Sequence, residues 1–274
     1  MKLHKLLLPF ALSASLLLLL PGFAQALEEK PLEGMNPEEK GREVFTEMDR
    51  RDMGFEDFSG QQEMVLRNKS GQESRRVMDQ SVLEDNTDGD KTLIIFREPK
   101  KVRGTALLTH AHTDSEDDQW LYLPKLGRVK RISGSSKSGS FLGSEFAYED
   151  LAPQEVDDYN YKYLRDEDMN NMAMFVVERI PKDKDSGYTR QVLWLDKKEY
   201  RIFQADFYDR KDAHIKRLTV SDYKQYLNKH WRPHHLKMVN QIDGKSTDLI
   251  MGEHSFKNKL TPSDFSQASL RRAR

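Results

Sequence analysis

Apolar positions recur with a period of two along most of the chain. Residues 55–67 place Phe58, Met64 and Leu66 on one face. After the turn Asn68-Lys69-Ser70-Gly71, residues 72–84 read as the return strand. Residues 92–97, 105–112, 120–123 and 128–132 continue the series, with Gly127 in a tight turn. The period resumes at 172–180, 188–195, 200–208, 215–227, 236–242 and 247–254, joined by short turns such as Asp185-Ser186-Gly187 and Asp243-Gly244. No βαβ unit and no internal repeat is visible. The pattern predicts a mainly β (α+β) fold: a strongly curved antiparallel sheet of about 11–12 strands, shaped as a half-barrel with a helical lid.

Two departures from this period supply the lid. Asn36-Pro37-Glu38-Glu39 combines an Asn cap, Pro at the first helical position and Glu three residues after the cap. It predicts a helix running to about Met53, stopped by Gly54, with a narrow apolar stripe of Val44, Phe45 and Met48. Such a helix lies on a surface and does not cross a core. Residues 133–168 are the second departure. They open with a Ser/Gly/Lys-rich stretch, and 141–165 read as short helices and loops laid over the sheet, carrying Phe141, Phe146, Tyr148, Tyr159, Tyr161 and Tyr163. The strands at 172–180 and 188–195 are apolar on both faces, so each face needs a cover. The helix and the insert are the available covers. The space they enclose is either a filled core or a hollow for a flexible apolar ligand, to which methionines would be suited.

The first 26 residues read differently. Lys2 and Lys5 precede a leucine-rich run to Leu20; Pro21-Gly22 breaks it, and Ala24-Gln25-Ala26 offers small residues for cleavage. This predicts a secretory leader, with residues 27–274 forming one exported domain. The 274 residues include no cysteine. Disulfides, thiolate zinc sites, iron–sulfur clusters and a cysteine nucleophile are thereby excluded, as is an acyl anchor on a cysteine after the leader. Lys and Arg number 44 against 45 Asp and Glu, without the cationic excess a general nucleic-acid binder needs.

Candidate chemistry is sparse. Thr109-His110-Ala111-His112-Thr113-Asp114 resembles the paired-histidine zinc motif of the metallo-β-lactamase fold. Ser115 stands where that motif has its last histidine, and the strand 120–123 follows where it has a helix. A zinc hydrolase is therefore the remote alternative. His230, His234 and His235 flank Pro233 in a patch expected to be a loop. No Gly-x-Ser-x-Gly elbow, Walker loop or dinucleotide fingerprint occurs. Charge is segregated: Lys125, Arg128, Lys130, Arg131 and Lys137 lie in a stretch without acids, and residues 149–168 are acid-rich. These are two solvated faces, or a docking surface with a basic rim for a partner or an anionic headgroup, at Lys125, Arg128, Lys130 and Arg131.

The run Gln119-Trp120-Leu121-Tyr122-Leu123-Pro124-Lys125-Leu126-Gly127-Arg128-Val129-Lys130-Arg131-Ile132-Ser133 is distinctive. So is Ser140-Phe141-Leu142-Gly143-Ser144-Glu145-Phe146-Ala147-Tyr148-Glu149-Asp150-Leu151. Together they resemble the outer membrane lipoprotein-sorting protein family, relatives of the periplasmic carrier LolA. Arg103-Gly104-Thr105 and the segment 265–270 fit as well. The resemblance implies an incomplete antiparallel barrel closed by helices over an apolar hollow that takes up acyl chains. It implies a periplasmic, monomeric, non-catalytic carrier of lipid or lipoprotein without cofactor. An inner-membrane transporter of RND (MMPL) or ABC type is the implied partner, and an accessory subunit of an RND exporter is the alternative. Trp120, Tyr122, Phe141, Phe146 and Tyr148 are the expected cavity or lid positions; they could equally be ordinary core aromatics.

Overall fold

The structure is a computed structural model and describes residues 32–272. The expected leader lies outside the described residues. Helix α1 spans Pro37–Asp52. Its start is the expected one: the Asn36 side chain accepts from Glu39 N at 2.8 Å, and Glu39 returns the bond to Asn36 N. Gly54, at φ +91°, turns the chain into the sheet.

Fifteen strands follow among the described residues. They are β1 (Asp57–Arg67), β2 (Glu73–Leu83), β3 (Lys91–Glu98), β4 (Ala106–His110), β5 (Asp118–Leu123), β6 (Arg128–Ile132), β7 (Tyr159–Met169) and β8 (Met172–Pro181), then β9 (Arg190–Asp196), β10 (Ile202–Tyr208), β11 (His214–Ser221), β12 (Lys224–Tyr226), β13 (His230–Arg232), β14 (His235–Asn240) and β15 (Ser246–Phe256). A short helix α2, Gln267–Arg272, ends the described residues. Thirteen strands form one curved, open antiparallel sheet in the order β6-β5-β4-β3-β2-β1-β15-β14-β11-β10-β9-β8-β7; β12 and β13 form a separate ribbon. The pairing of β1 with β15 puts the first and last strands in the middle of the sheet. Its two edges, β6 and β7, are therefore consecutive in sequence. The segment 133–158, with three short 3-10 turns, is the chain that joins one edge to the other.

The sheet has more strands than the expected 11–12, and two of the differences have local causes. The insert was expected to run to 168, but β7 starts at Tyr159. Its period is present, with Tyr159 and Tyr161 buried and Asn160 and Lys162 exposed. Beyond Tyr163 the strand is charged, as suits an unpaired sheet edge, and that masks the alternation. The single strand expected over 215–227 is broken by Asp222 at φ 56°, which separates β11 from β12. The patch around Pro233 is also not a simple loop: β13 precedes the proline and β14 follows it.

The main core lies between the inner face of the sheet and the pair formed by α1 and segment 133–158. Val44 and Phe45 of α1 are fully buried there, beside Met64, Met78, Phe96, Leu193, Leu195 and Met238. The helix is thus more deeply seated than its narrow stripe suggested. Gly41 makes this possible: a Cβ there would stand 2.7 Å from the Tyr163 backbone N. The outer faces are covered separately. Leu93, Ala106 and Leu108 are capped by Phe265 and Leu270 of the C-terminal segment. Met174, Val176, Val192 and Trp194 form a third cluster with Met169, Met172, Phe203 and Tyr208 from the same sheet. The two-faced strands are explained by α1 and 133–158 inside and by neighbouring side chains outside.

Candidate functional site

Segment 133–158 owes its shape to a small hydrogen-bonded loop. Phe141 N donates to Phe146 O at 2.8 Å, and Ser144 N to Phe141 O at 3.0 Å. Leu142 at φ 50° and Gly143 at φ 82° close the turn. This loop projects Phe141 and Phe146 into the hollow of the sheet, where they are 0% and 2% exposed. The Phe141 ring lies 5.7 Å from Phe96 of β3 and edge-on to Tyr148 at 5.5 Å. Methionines from three strands, Met64, Met78 and Met238, complete the surroundings. The hollow is therefore filled by the aromatic side chains of the segment that spans it.

The five expected cavity residues divide into two groups. Phe141, Phe146 and Tyr148 share the inner core. Trp120 and Tyr122 are on the opposite face of β5, packed against the cluster under Phe265 and Leu270, with Trp120 edge-on to His110 at 5.1 Å. The β5 residues that face the hollow are Leu121 and Leu123. Between them and Trp120 the difference is one step of a period-two strand, so the side facing inward depends on which face the distant segment covers.

Polar pins fasten the segment to the sheet. The Glu149 carboxylate accepts from Ser186 Oγ at 2.7 Å and Gly187 N at 2.9 Å. Asp150 accepts from Ala147 N at 2.7 Å and from Tyr188 Oη at 3.0 Å, with Lys216 Nζ at 4.0 Å. Gln119 Nε2 donates to Tyr148 O at 3.0 Å, and Glu145 N to Thr247 Oγ1 at 3.0 Å. Lys137, almost wholly buried, lies 3.4 Å from Glu116 and 3.8 Å from Asp183. Burial pushes the Glu149 and Asp150 carboxyls above their ordinary range, against the lowering effect of these donors. Burial, then repulsion from Asp90, Asp49, Asp158 and Asp117, raises Glu155 to about 7. The segment is thus held by pins that carry buried charge at a cost, unlike a covalently or purely apolar sealed core. None of these acids was singled out from the sequence, because each owes its role to a partner far along the chain.

The other candidates are engaged in packing. His110 Nε2 is 2.6 Å from Phe265 O, and His112 Nδ1 is 2.9 Å from Asp88. Asp114 lies in the exposed turn beyond them. His234 bridges Met251 O and Tyr226 Oη, His235 is 2.6 Å from Asp248, and His230 stacks on Phe256. Among the described residues, no three His, Asp or Glu side chains are grouped so as to hold a metal ion. Lys125, Arg128 and Lys130 are exposed, and Arg131 pairs with Asp118. An open groove of about 330 Å³ lies on the outer face between β2–β3 and the C-terminal segment. The sheet separates it from the hollow, and Arg97, Asp264, Ser269 and Arg272 make much of its lining polar. Among the described residues no helix is long and apolar enough to cross a membrane.

Comparison with known proteins agrees with this architecture. A family model described as an uncharacterized protein matches residues 88–272. No curated protein matches the chain. Among solved structures, a domain from Vibrio parahaemolyticus assigned to the outer membrane lipoprotein-sorting proteins is 50% identical with a TM-score of 0.84, over 85% of this chain and 99% of that one. A DUF1329 family protein from Desulfovibrio piger is 28% identical with a TM-score of 0.80, over 86% of this chain and 100% of that one. A LolA superfamily protein from Nitrosomonas europaea is 19% identical with a TM-score of 0.68, over 84% and 98%, and shows the shared fold.

Proposed function

Given that this chain belongs to the outer membrane lipoprotein-sorting family with a LolA-like fold, we propose that it is a periplasmic, non-catalytic carrier whose hollow exchanges the side chains of segment 133–158 for acyl chains. The observation that carries this reading is the way the hollow is filled. Its contents at Phe141, Phe146 and Tyr148 come from one segment that joins the two sheet edges and is fastened by polar pins.

Magnitudes support the exchange. Burying an acyl chain of about fourteen carbons gains roughly 11 kcal/mol, at ~0.8 kcal/mol per CH₂. Displacing three buried aromatics forfeits roughly 5–9 kcal/mol, at ~1.5–3 kcal/mol each. The difference is a few kcal/mol, so cargo is held yet can be surrendered. An always-open apolar slot would bind with the whole gain and release slowly. The methionines at the floor adapt to chains of different shape. In this reading the leader is removed and the domain 27–274 works in the periplasm, loaded by an inner-membrane transporter.

Native mass spectrometry of protein purified without detergent tests the reading. Co-purified lipid, displaced by a fluorescent fatty acid, is the expected result. A protein that stays lipid-free and leaves the fluorophore unbound would refute it.

A further inference from the structure

The six strands β1 to β6 are successive neighbours, so their connecting turns fall alternately at two ends of that half of the sheet. The turns β1–β2, β3–β4 and β5–β6 share one end; β2–β3 and β4–β5 share the other. The charges sort with them. Residues 68–72, 99–105 and 124–128 contain Lys69, Lys100, Lys101, Arg103, Lys125 and Arg128 and no acid. Residues 84–90 contain Glu84, Asp85, Asp88 and Asp90, and 111–117 contain Asp114, Glu116 and Asp117; neither turn has a Lys or Arg. All six cations are exposed. Lys100, Lys101, Lys125 and Arg128 form no ion pair among the described residues. The basic end also carries bare aliphatic tips: Leu126 is 64% exposed in the β5–β6 turn, and Ile242 is 72% exposed in the β14–β15 turn at the same end of the sheet.

We propose that this basic end is a docking surface for an anionic phospholipid bilayer, with Leu126 entering the headgroup layer. The cations sit on three turns spaced two strands apart, so they form a row about 20 Å long, at ~4.8 Å per strand. They lie on separate turns, and all six are exposed. A row of separate cations with protruding aliphatic tips matches an extended, laterally fluid anionic surface and not one compact anion. The acidic turns at the far end of this half of the sheet are repelled by the same surface, which favours approach by the basic turns. Each cation near such a surface contributes ~1 kcal/mol, roughly fivefold in partitioning. The inference is independent of the carrier reading, because none of these side chains enters the hollow.

Co-sedimentation of residues 27–274 with vesicles tests it. Binding is expected to vesicles of equal parts phosphatidylglycerol and phosphatidylcholine, and not to phosphatidylcholine alone. Replacing Lys100→Gln with Lys101→Gln, or Lys125→Gln with Arg128→Gln, should each weaken binding by roughly twenty-five-fold. Leu126→Asp should weaken it too, and Asp114→Asn should not. Raising salt should release the unmodified protein, a reading that needs no variant. Equal binding to both vesicle types, no effect of either cation pair, or capture by an acidic protein without any vesicle binding would overturn the proposal. Fatty-acid uptake should be unchanged in these variants, so its failure and the failure of docking can be told apart.

Discussion

Phe96 and Phe141 are the two halves of one contact, and truncating each in turn asks whether segment 133–158 is lid or core. Both rings are 0% exposed and their centroids are 5.7 Å apart. Phe→Ala at such a site costs about 3–5 kcal/mol through lost transfer energy and the residual cavity. Phe96 belongs to β3 and cannot leave without unfolding the sheet, so Phe96→Ala should lower global stability by that full amount. Phe141 belongs to the segment. If the segment opens at a free energy below 3–5 kcal/mol, Phe141→Ala makes the open form the ground state. The loss of global stability is then capped at that opening energy. Urea denaturation of both variants gives the global values, and amide hydrogen exchange gives the local ones. The expected result is a smaller loss for Phe141→Ala than for Phe96→Ala, with exchange protection abolished over 134–158 and retained in β3. Equal global losses, with the segment exchanging only through global unfolding, would refute the lid.

Glu155 should make stability fall as pH rises. Its folded value, about 7, exceeds the ordinary 4.5, so the folded chain binds more protons than the unfolded chain between these values, and stability declines across that window. Glu155→Gln should therefore match the parent below pH 4.5 and exceed it above pH 7, by on the order of 1–2 kcal/mol after solvent screening, as urea midpoints at several pH values would show. Asn36→Ala removes the side-chain acceptor for Glu39 N, one half of the capping box, and should cost about 0.5–2 kcal/mol, read as a lower urea midpoint. An unchanged midpoint would mean that the first turn of α1 contributes nothing to the cover.

How much of this could be read from the residues depends on the range of the interaction involved. The start of α1 was legible because Asn36, Pro37 and Glu39 act on one another within a turn. Most strands were legible because the inner face of each is apolar by itself. The edge strand β7 was obscured by Arg165, Asp166, Glu167 and Asp168, which are charged because nothing pairs beyond them. The candidate site was legible in part. The aromatics of 141–148 were visible as a cluster, but the face of β5 that meets them was not. Trp120 and Leu121 are both large and apolar, and the choice between them is made by segments at 133–158 and 260–272 that dock from far along the chain. The pins at Glu149 and Asp150 were illegible for the same reason: Ser186, Tyr188 and Lys216 reach them only once the sheet has curved.

The claim that segment 133–158 must move for acyl chains to enter is tested most directly by tying it down. A Cβ at Gly187 would lie 2.8 Å from the Ser138 Cβ, and a disulfide requires ~3.8 Å, so the loops need yield only about 1 Å. The chain has no other cysteine, so Ser138→Cys with Gly187→Cys forms one defined cross-link between the segment and the β8–β9 loop. Uptake of a fluorescent fatty acid by this variant should be blocked when it is oxidised and restored when it is reduced. Equal uptake in both states would contradict the account.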